Sequence, residues 1–318
     1  MEKYKLIYLQ IVFILFFYML CGQVIGQTTA EKNNAPMPEK IILLNVSVGT
    51  VQRHEIKSTY VDSRFVDVWL PSGYNTSQKY DVLYMHDGQM LFDSTTTWNK
   101  QAWNVQEVIT QLMAQKKINP TLVVGIHNNG NKRHTEYFPQ KALAFIPDSI
   151  RTELEKLFVG KPKADDYLKF LVTELKPFID KTYSTKTKQK NTFIAGSSMG
   201  GLISMYALCE YPKIFAGAGC LSIHWIGLRR DNAEIPAAFY KYMAKNLPKP
   251  KKNKFYFDYG SIGLDAMYGK YQKNIDQLMP LQGYDAKNWQ TLFFENTDHS
   301  EKAWAKRLAT PLLFLMQK

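Results

Sequence analysis

The chain has 318 residues, 45% of them hydrophobic and 14% aromatic, which is enough to fill a sizeable core and excludes a disordered or fibrous protein. Lysine and arginine outnumber aspartate and glutamate by 40 to 28, a formal net charge of +12, so a polyanionic partner has to be weighed. Three cysteines are too few for a disulfide scaffold.

Residues 1–26 read as a signal peptide: a short start carrying Lys3 and Lys5, an apolar run over 6–20, and a smaller, more polar stretch that fits cleavage after Gly26. A membrane anchor is disfavoured because the run is short and contains Gln10, and lipidation of Cys21 because bulky Leu20 precedes it. The expectation is a periplasmic or secreted protein without stable membrane insertion, in which residues 27–48 are an extension and 49–318 one domain.

From 49 to 74 the alternation in VQRHEIKSTYVDSRFVDVWLP predicts two antiparallel, half-exposed strands that end at the turn residues Pro71, Ser72 and Gly73. The style then changes. DVLYM, TLVVGI, TFIAG, AGCLSI, KFYFDY and QTLFFE are short apolar runs of the kind covered on both faces. Helical patterns alternate with them: WNVQEVITQLMAQ, DYLKFLVTELKPFIDKTY, MGGLISMYALCEYP and SEKAWAKRLATPLLFLMQ. Such alternation implies parallel crossovers and a doubly wound α/β sheet with helices on both faces. Residues 141–163 fit neither pattern and, following a strand's carboxyl end, are expected to form a lid. Cys209 falls on a helix and Cys220 on a buried strand, both expected to be apolar thiols. The lysine clusters at 181–191 and 249–254 precede strands, which puts them at the amino edge of the sheet, away from the edge that binds ligands. They read as solvated loops, and no nucleic-acid partner is expected.

In NTFIAGSSMGGL (191–202) the pentapeptide Gly196-Ser197-Ser198-Met199-Gly200 lies between a strand and a helix, the context in which G-x-S-x-G forms a nucleophile elbow. Ser198 is the middle residue, and Met199 offers its backbone N–H at the helix start, where the dipole favours developing negative charge. A serine hydroxyl needs a base, and in this arrangement the partners follow as acid and then histidine. Of the six histidines only His224 and His299 come after Ser198. His224 comes too early for an acid to precede it and reads as a pocket or structural residue, so His299, beyond the last strand, is the expected base. The acid lies at or just past KFYFDY, where Asp265 on the loop is preferred over Asp258 within the strand. Asp298 is too close to His299 to orient its ring. The second oxyanion donor is expected from His86-Asp87-Gly88-Gln89, at the N–H of Gln89. His86 and Asp87 lack a third ligand at fitting spacing, so no metal and no cofactor is called for.

With MHDGQMLF, GIHNNGNKRHTEYFP, AGSSMGG, LSIHW, FDYGSIGLD and TDHSEKAW, the sequence resembles the putative esterase family of α/β-hydrolases, from about residue 49 to the C-terminus. That family includes enterochelin-type siderophore esterases, S-formylglutathione hydrolase, feruloyl and acetyl-xylan esterases, and mycolyltransferases. The resemblance implies an α/β-hydrolase fold, Ser198 as nucleophile, His299 as base, and the Gln89 and Met199 amides as oxyanion hole. Many members carry Gly-Thr-x-Asp or Gly-Thr-x-Glu for the acid. Here the run Gly260 to Asp265 is two residues longer, which keeps Asp258 open.

Strand-end positions expected to line the site are Phe92, Arg133, His134, Tyr137, Trp225 and Tyr268, an aromatic rim with one arginine suited to a sugar or aryl ester. Trp98 and Trp103 flank a helix start, where core packing competes with a pocket role. The leading expectation is a secreted serine esterase that deacylates a polysaccharide or oligosaccharide. A siderophore trilactone esterase and an acyltransferase are the alternatives, and the oligomeric state is open.

Overall fold

The computed structural model describes residues 44–318. The expected signal peptide, Cys21 and all but the last five residues of the expected extension lie outside them. Those five belong to the domain: the Asn45 N–H donates to Asp93 Oδ2 at 2.9 Å, and Trp69 Nε1 donates to the Val48 carbonyl at 2.8 Å.

Eight strands form one sheet in the order β1-β2-β4-β3-β5-β6-β7-β8. β1 (Thr50–Ile56) pairs antiparallel with β2 (Arg64–Leu70), and β2 pairs antiparallel with β4 (Thr121–Ile126). All further pairings, through β3 (Asp81–His86), β5 (Thr192–Ser197), β6 (Gly217–Leu221), β7 (Lys254–Gly260) and β8 (Trp289–Phe294), are parallel. This is the α/β-hydrolase architecture that the sequence implied. Two details differ from expectation. β2 is almost wholly buried because it has a neighbour on each side, and β8 is half exposed because it is the edge strand.

The period of two along each strand feeds two cores. Val82 and Tyr84 face one and Leu83 and Met85 the other, just as Phe255 and Phe257 alternate with Tyr256. One core is closed by α1 (Val105–Ala114), α9 (Glu301–Arg307) and α10 (Ala309–Met316). The other takes α2 (Arg133–Tyr137), α3 (Asp148–Glu155), α4 (Ala164–Phe170), α5 (Lys176–Thr182), α6 (Met199–Glu210), α7 (Glu234–Asn246) and α8 (Gly269–Leu281). Cys209 on α6 and Cys220 on β6 are buried and unbonded. The segment 141–163 is not a lid over the serine: Ile146, Ile150 and Leu154 are buried in the second core.

α2 is only five residues long, too short to hold itself. It is pinned by Glu136, whose carboxylate accepts two 2.8 Å hydrogen bonds from the Arg64 guanidinium of β2, both side chains 2% exposed. Arg64 also lies 5.2 Å from the ring centre of Tyr167 and 5.3 Å from that of Phe170. Replacing Glu136 by alanine strands a buried cation, so Glu136→Ala should lose about 3–5 kcal/mol of unfolding free energy in a denaturant titration.

Candidate active site

β5 ends at Ser197 and α6 begins at Met199, which leaves Ser198 at the corner with φ 56° and ψ −122°. Side chains rarely tolerate this backbone, and it persists only where the surroundings over-determine it. Here the Ser198 N–H donates to the Leu221 carbonyl at 3.0 Å. Its carbonyl accepts from Gly201, Leu202 and His224 at 3.0, 3.1 and 3.2 Å. A Cβ on Gly196 would lie 2.7 Å from the Gly200 carbonyl carbon, so strand and helix reach this separation only with glycine there.

After β3 the chain turns at Asp87, φ 57°, into the short 3-10 helix Gly88–Met90. A Cβ on Gly88 would sit 2.4 Å from the Gly125 carbonyl carbon, which requires glycine again. Among the described residues neither the Gln89 nor the Met199 N–H finds an acceptor within the protein. The Asp87 carboxylate accepts from Arg133 Nε and Nη2 at 2.7 and 2.8 Å and from Asn128 Nδ2 at 2.7 Å. Burial works to raise this carboxyl, and the Arg133 charge together with the hydrogen bonds from Arg133 and Asn128 outweighs it and holds the group below the usual carboxylate range.

His299 follows β8, and its Nδ1 lies 2.5 Å from Asp265 Oδ1. The structure brings Asp265, not Asp258, to this ring. The imidazole is bracketed by the rings of Trp304 and Tyr268, with centroids at 4.9 and 5.9 Å, both edge-on. Asp265 is fully buried, which alone would raise its pKa. The bond from His299 and the further donors to Oδ2, Ser222 Oγ at 2.6 Å and Gly260 N–H at 2.7 Å, lower it instead.

Ser222, just past β6, is a residue that sequence reasoning missed. Its hydroxyl donates to Asp265 while accepting from Trp304 Nε1 at 2.9 Å and Arg307 Nη2 at 2.8 Å, so its capacity is filled. Arg307 also donates to Asp258 through Nη2 and Nε, at 3.0 and 3.1 Å. Asp258 is thus the buried counter-ion of Arg307, and burial raises its pKa. Only the expectation of an acid near the end of β7 could have hinted at this network, whose other members come from β6 and α9.

Ser198, His299, Gln89 and Arg133 line one cleft of about 790 Å³, together with Trp98, Trp103, Gln101, Glu301 and Trp304 among others. The expected aromatic rim does not form from the residues chosen for it. Phe92, Tyr137, Trp225 and Tyr268 are at most 2% exposed, because strand-end side chains here turn down into the two cores. His134 stacks on Phe138, with centroids 5.7 Å apart, and does not line the cleft. Tyr268 instead supports the site from below, its phenol 2.8 Å from His224 Nδ1. The exposed aromatic side chain of the cleft is Trp98, 83% exposed, whereas Trp103 and Trp304, stacked at 5.4 Å, border the cleft but are buried. A second cleft, at the amino edge of the sheet, is bordered by Lys190, Lys251, Lys252, Lys254 and Lys287, where the sequence placed the basic loops. Among the described residues no helix is long and apolar enough to cross a membrane.

The family model described as "Putative esterase" matches residues 58–315. The chain is 29% identical over 167 residues to an endo-1,4-beta-xylanase/feruloyl esterase of Xylanibacter ruminicola, a match covering 49% of this chain and 19% of that protein. It is 26% identical over 153 residues to the ferri-bacillibactin esterase BesA of Bacillus subtilis, covering 46% and 49%. The chain therefore spans about half or less of the length of these relatives. Its fold is similar to that of the enterobactin esterase FES of Shigella flexneri, with a TM-score of 0.63 and 16% identity over 87% of this chain and 61% of that one.

Ser222→Ala would leave the Trp304 and Arg307 donors without their acceptor and remove one donor from Asp265, so unfolding free energy should fall by about 1–3 kcal/mol. A second expectation concerns pH. Burial holds the His86 and His224 imidazoles neutral, each with its pKa lowered to about 3, whereas the unfolded chain takes up those protons near pH 6.5. Stability is fully present above pH 6.5 and falls as pH drops from there toward 3, by about 1.4 kcal/mol per pH unit for each ring. Thermal unfolding between pH 7 and 4.5 should show that slope, and His224→Gln should flatten it.

Proposed function

The chain belongs to the putative esterase family, and from that premise we propose that it is an exported serine carboxylic-ester hydrolase that deacylates a polysaccharide or oligosaccharide. The observation that carries this reading is the pairing of His299 Nδ1 with the buried Asp265 carboxylate at 2.5 Å, on a ring that lines the same cleft as the serine held at φ 56°.

In this reading Asp265 accepts from His299 Nδ1–H and fixes the tautomer that leaves Nε2 free to take the Ser198 proton. The serine oxygen attacks the ester carbonyl, and the new oxyanion is met by the N–H groups of Gln89 and Met199, the latter at the positive end of α6. His299 returns its proton to the leaving alcohol, an acyl-enzyme forms, and water activated by the same ring releases the acid. Residues 1–26 act as the signal for export.

A sugar ester is favoured over the alternatives on charge and relationship. The cleft is bordered by Asp87 and Glu301 as well as Arg133, and Arg133 is already committed to Asp87, so there is little cationic surface for a polyanionic catecholate. The xylanase/feruloyl esterase relative points the same way. The second reading, a siderophore trilactone esterase, is favoured by the ferri-bacillibactin esterase relative.

The test is a hydrolysis panel of acetylated and feruloylated xylo-oligosaccharides against a catechol trilactone, with Ser198→Ala as the blank. Turnover of the sugar esters is expected, and turnover of the trilactone alone would replace this reading by the second. Asp265→Asn should lower kcat by about 10³–10⁴-fold with the fold intact. Asp258→Asn should act mainly on stability, because its partner is Arg307. A larger kcat loss from Asp258→Asn than from Asp265→Asn would refute the assignment of the acid.

A further inference from the structure

Trp98 is the most exposed of the large apolar side chains among the described residues, at 83%, and it lines the same cleft as Ser198 and His299. A lone exposed apolar side chain needs no explanation, but an indole presented at the mouth of a reactive cleft on a fixed loop does. The loop is fixed at both ends. On the near side the Asp93 carboxylate accepts from the Asn45 and Thr95 N–H groups at 2.9 and 2.8 Å. On the far side Asn99 Nδ2 donates to Glu301 Oε2 at 2.7 Å, and Gln101 Oε1 accepts the Lys302 N–H at 3.1 Å. The backbone carrying Trp98 is therefore latched to the start of α9, two residues past His299.

That latch decides which part of a substrate the indole meets. His299 must hand its proton to the leaving alcohol, so in any ester bound for attack by Ser198 the alcohol half lies on the His299 side of the cleft, and Trp98 stands on that side. The neighbouring polar groups suit hydroxyls: Gln101 and Glu301 line the cleft, and Gln101 Nε2 and Glu301 Oε1 have no hydrogen-bond partner among the described residues. An apolar ring face beside unfilled amide and carboxylate edges matches the two sides of a sugar, C–H groups on its face and hydroxyls on its rim.

We propose that Trp98 is the platform on which a pyranose ring of the substrate's alcohol half stacks, with Gln101 and Glu301 reading its hydroxyls. The assignment rests on the sugar-ester reading above and extends it by naming the subsite. Its role is positional: it holds the chain so that the acylated oxygen reaches Ser198, and it takes no part in bond making.

The experiment compares Trp98→Ala and Trp98→Phe with the wild type on an acylated xylo-oligosaccharide and on methyl acetate, whose alcohol half has no ring to meet the indole. Trp98→Ala should raise KM for the oligosaccharide about tenfold or more with kcat within about twofold, a loss in kcat/KM about fivefold or more greater than on methyl acetate, and be partly rescued by Trp98→Phe. On a Ser198→Ala background, calorimetric affinity for the deacylated oligosaccharide should fall by a similar factor when Trp98 is removed. If the wild type hydrolyses the oligosaccharide ester and Trp98→Ala leaves KM unchanged, the platform is refuted while the sugar-ester reading stands. Equal losses on both substrates would make Trp98 a structural residue and refute it as well. If the wild type hydrolyses only the catechol trilactone, the sugar-ester reading fails and the pyranose assignment falls with it.

Discussion

A carboxylate with no solvent contact has to remain charged beside His299, and much of the site's architecture follows from that requirement. Burial drives Asp265 toward its neutral form, and an acid in that form would carry no negative charge to stabilise a proton gained by the imidazole. The fold counters this with short donors from three elements: Gly260 at the end of β7, Ser222 past β6, and His299 past β8. Each donor brings requirements of its own. Ser222 sits at φ 41°, held by its N–H donating to the Asp258 carbonyl at 2.9 Å. Its hydroxyl can point at Asp265 because Arg307 and Trp304 fill its lone pairs, and Arg307 in turn needs Asp258 to be buried at all.

The serine corner follows a different logic, governed by space. Its backbone is unfavourable in isolation and is imposed by the register of β5 against β6 together with the absence of a side chain at Gly196. The same economy recurs at Gly88, whose contact with the Gly125 backbone brings the Gln89 amide to the carboxyl edge of the sheet. A sheet buried on both faces makes these approaches durable, since β3 and β5 have no exposed residue through which strain could relax into solvent.

How much of this could be read in advance depended on how local each feature is. The six apolar strands and the corner at Ser198 were legible because a strand buried on both faces and a glycine-flanked serine are written in consecutive residues. His299 could be singled out because it is the one histidine beyond the last strand. The helices Glu234–Asn246 and Gly269–Leu281 escaped notice because Pro236 and Pro280 interrupt their patterns, although a proline in the first turn or at the last residues costs a helix little. The pocket lining was misjudged for a reason that sequence cannot remedy. A strand end tells where Tyr137, Trp225 and Tyr268 lie along the sheet, but not whether the following turn sends each ring into the core or out of it. Trp98 shows the converse, since only the latches at Asp93 and Glu301 reveal that its ring stays outside. Ser222 and Arg307 carry no signature at all, because their partnership spans 85 residues.

The two thiols of the described chain have a practical bearing on how the protein can be made. Cys209 and Cys220 are buried, unbonded and pushed by burial far from the thiolate form, so neither is primed for disulfide exchange or alkylation. Residues 44–318 hold this fold with no covalent cross-link between Cys209 and Cys220. Their folding thus owes nothing to an oxidising environment, and the same domain is compatible with the reducing interior of a production host as with an oxidising exterior.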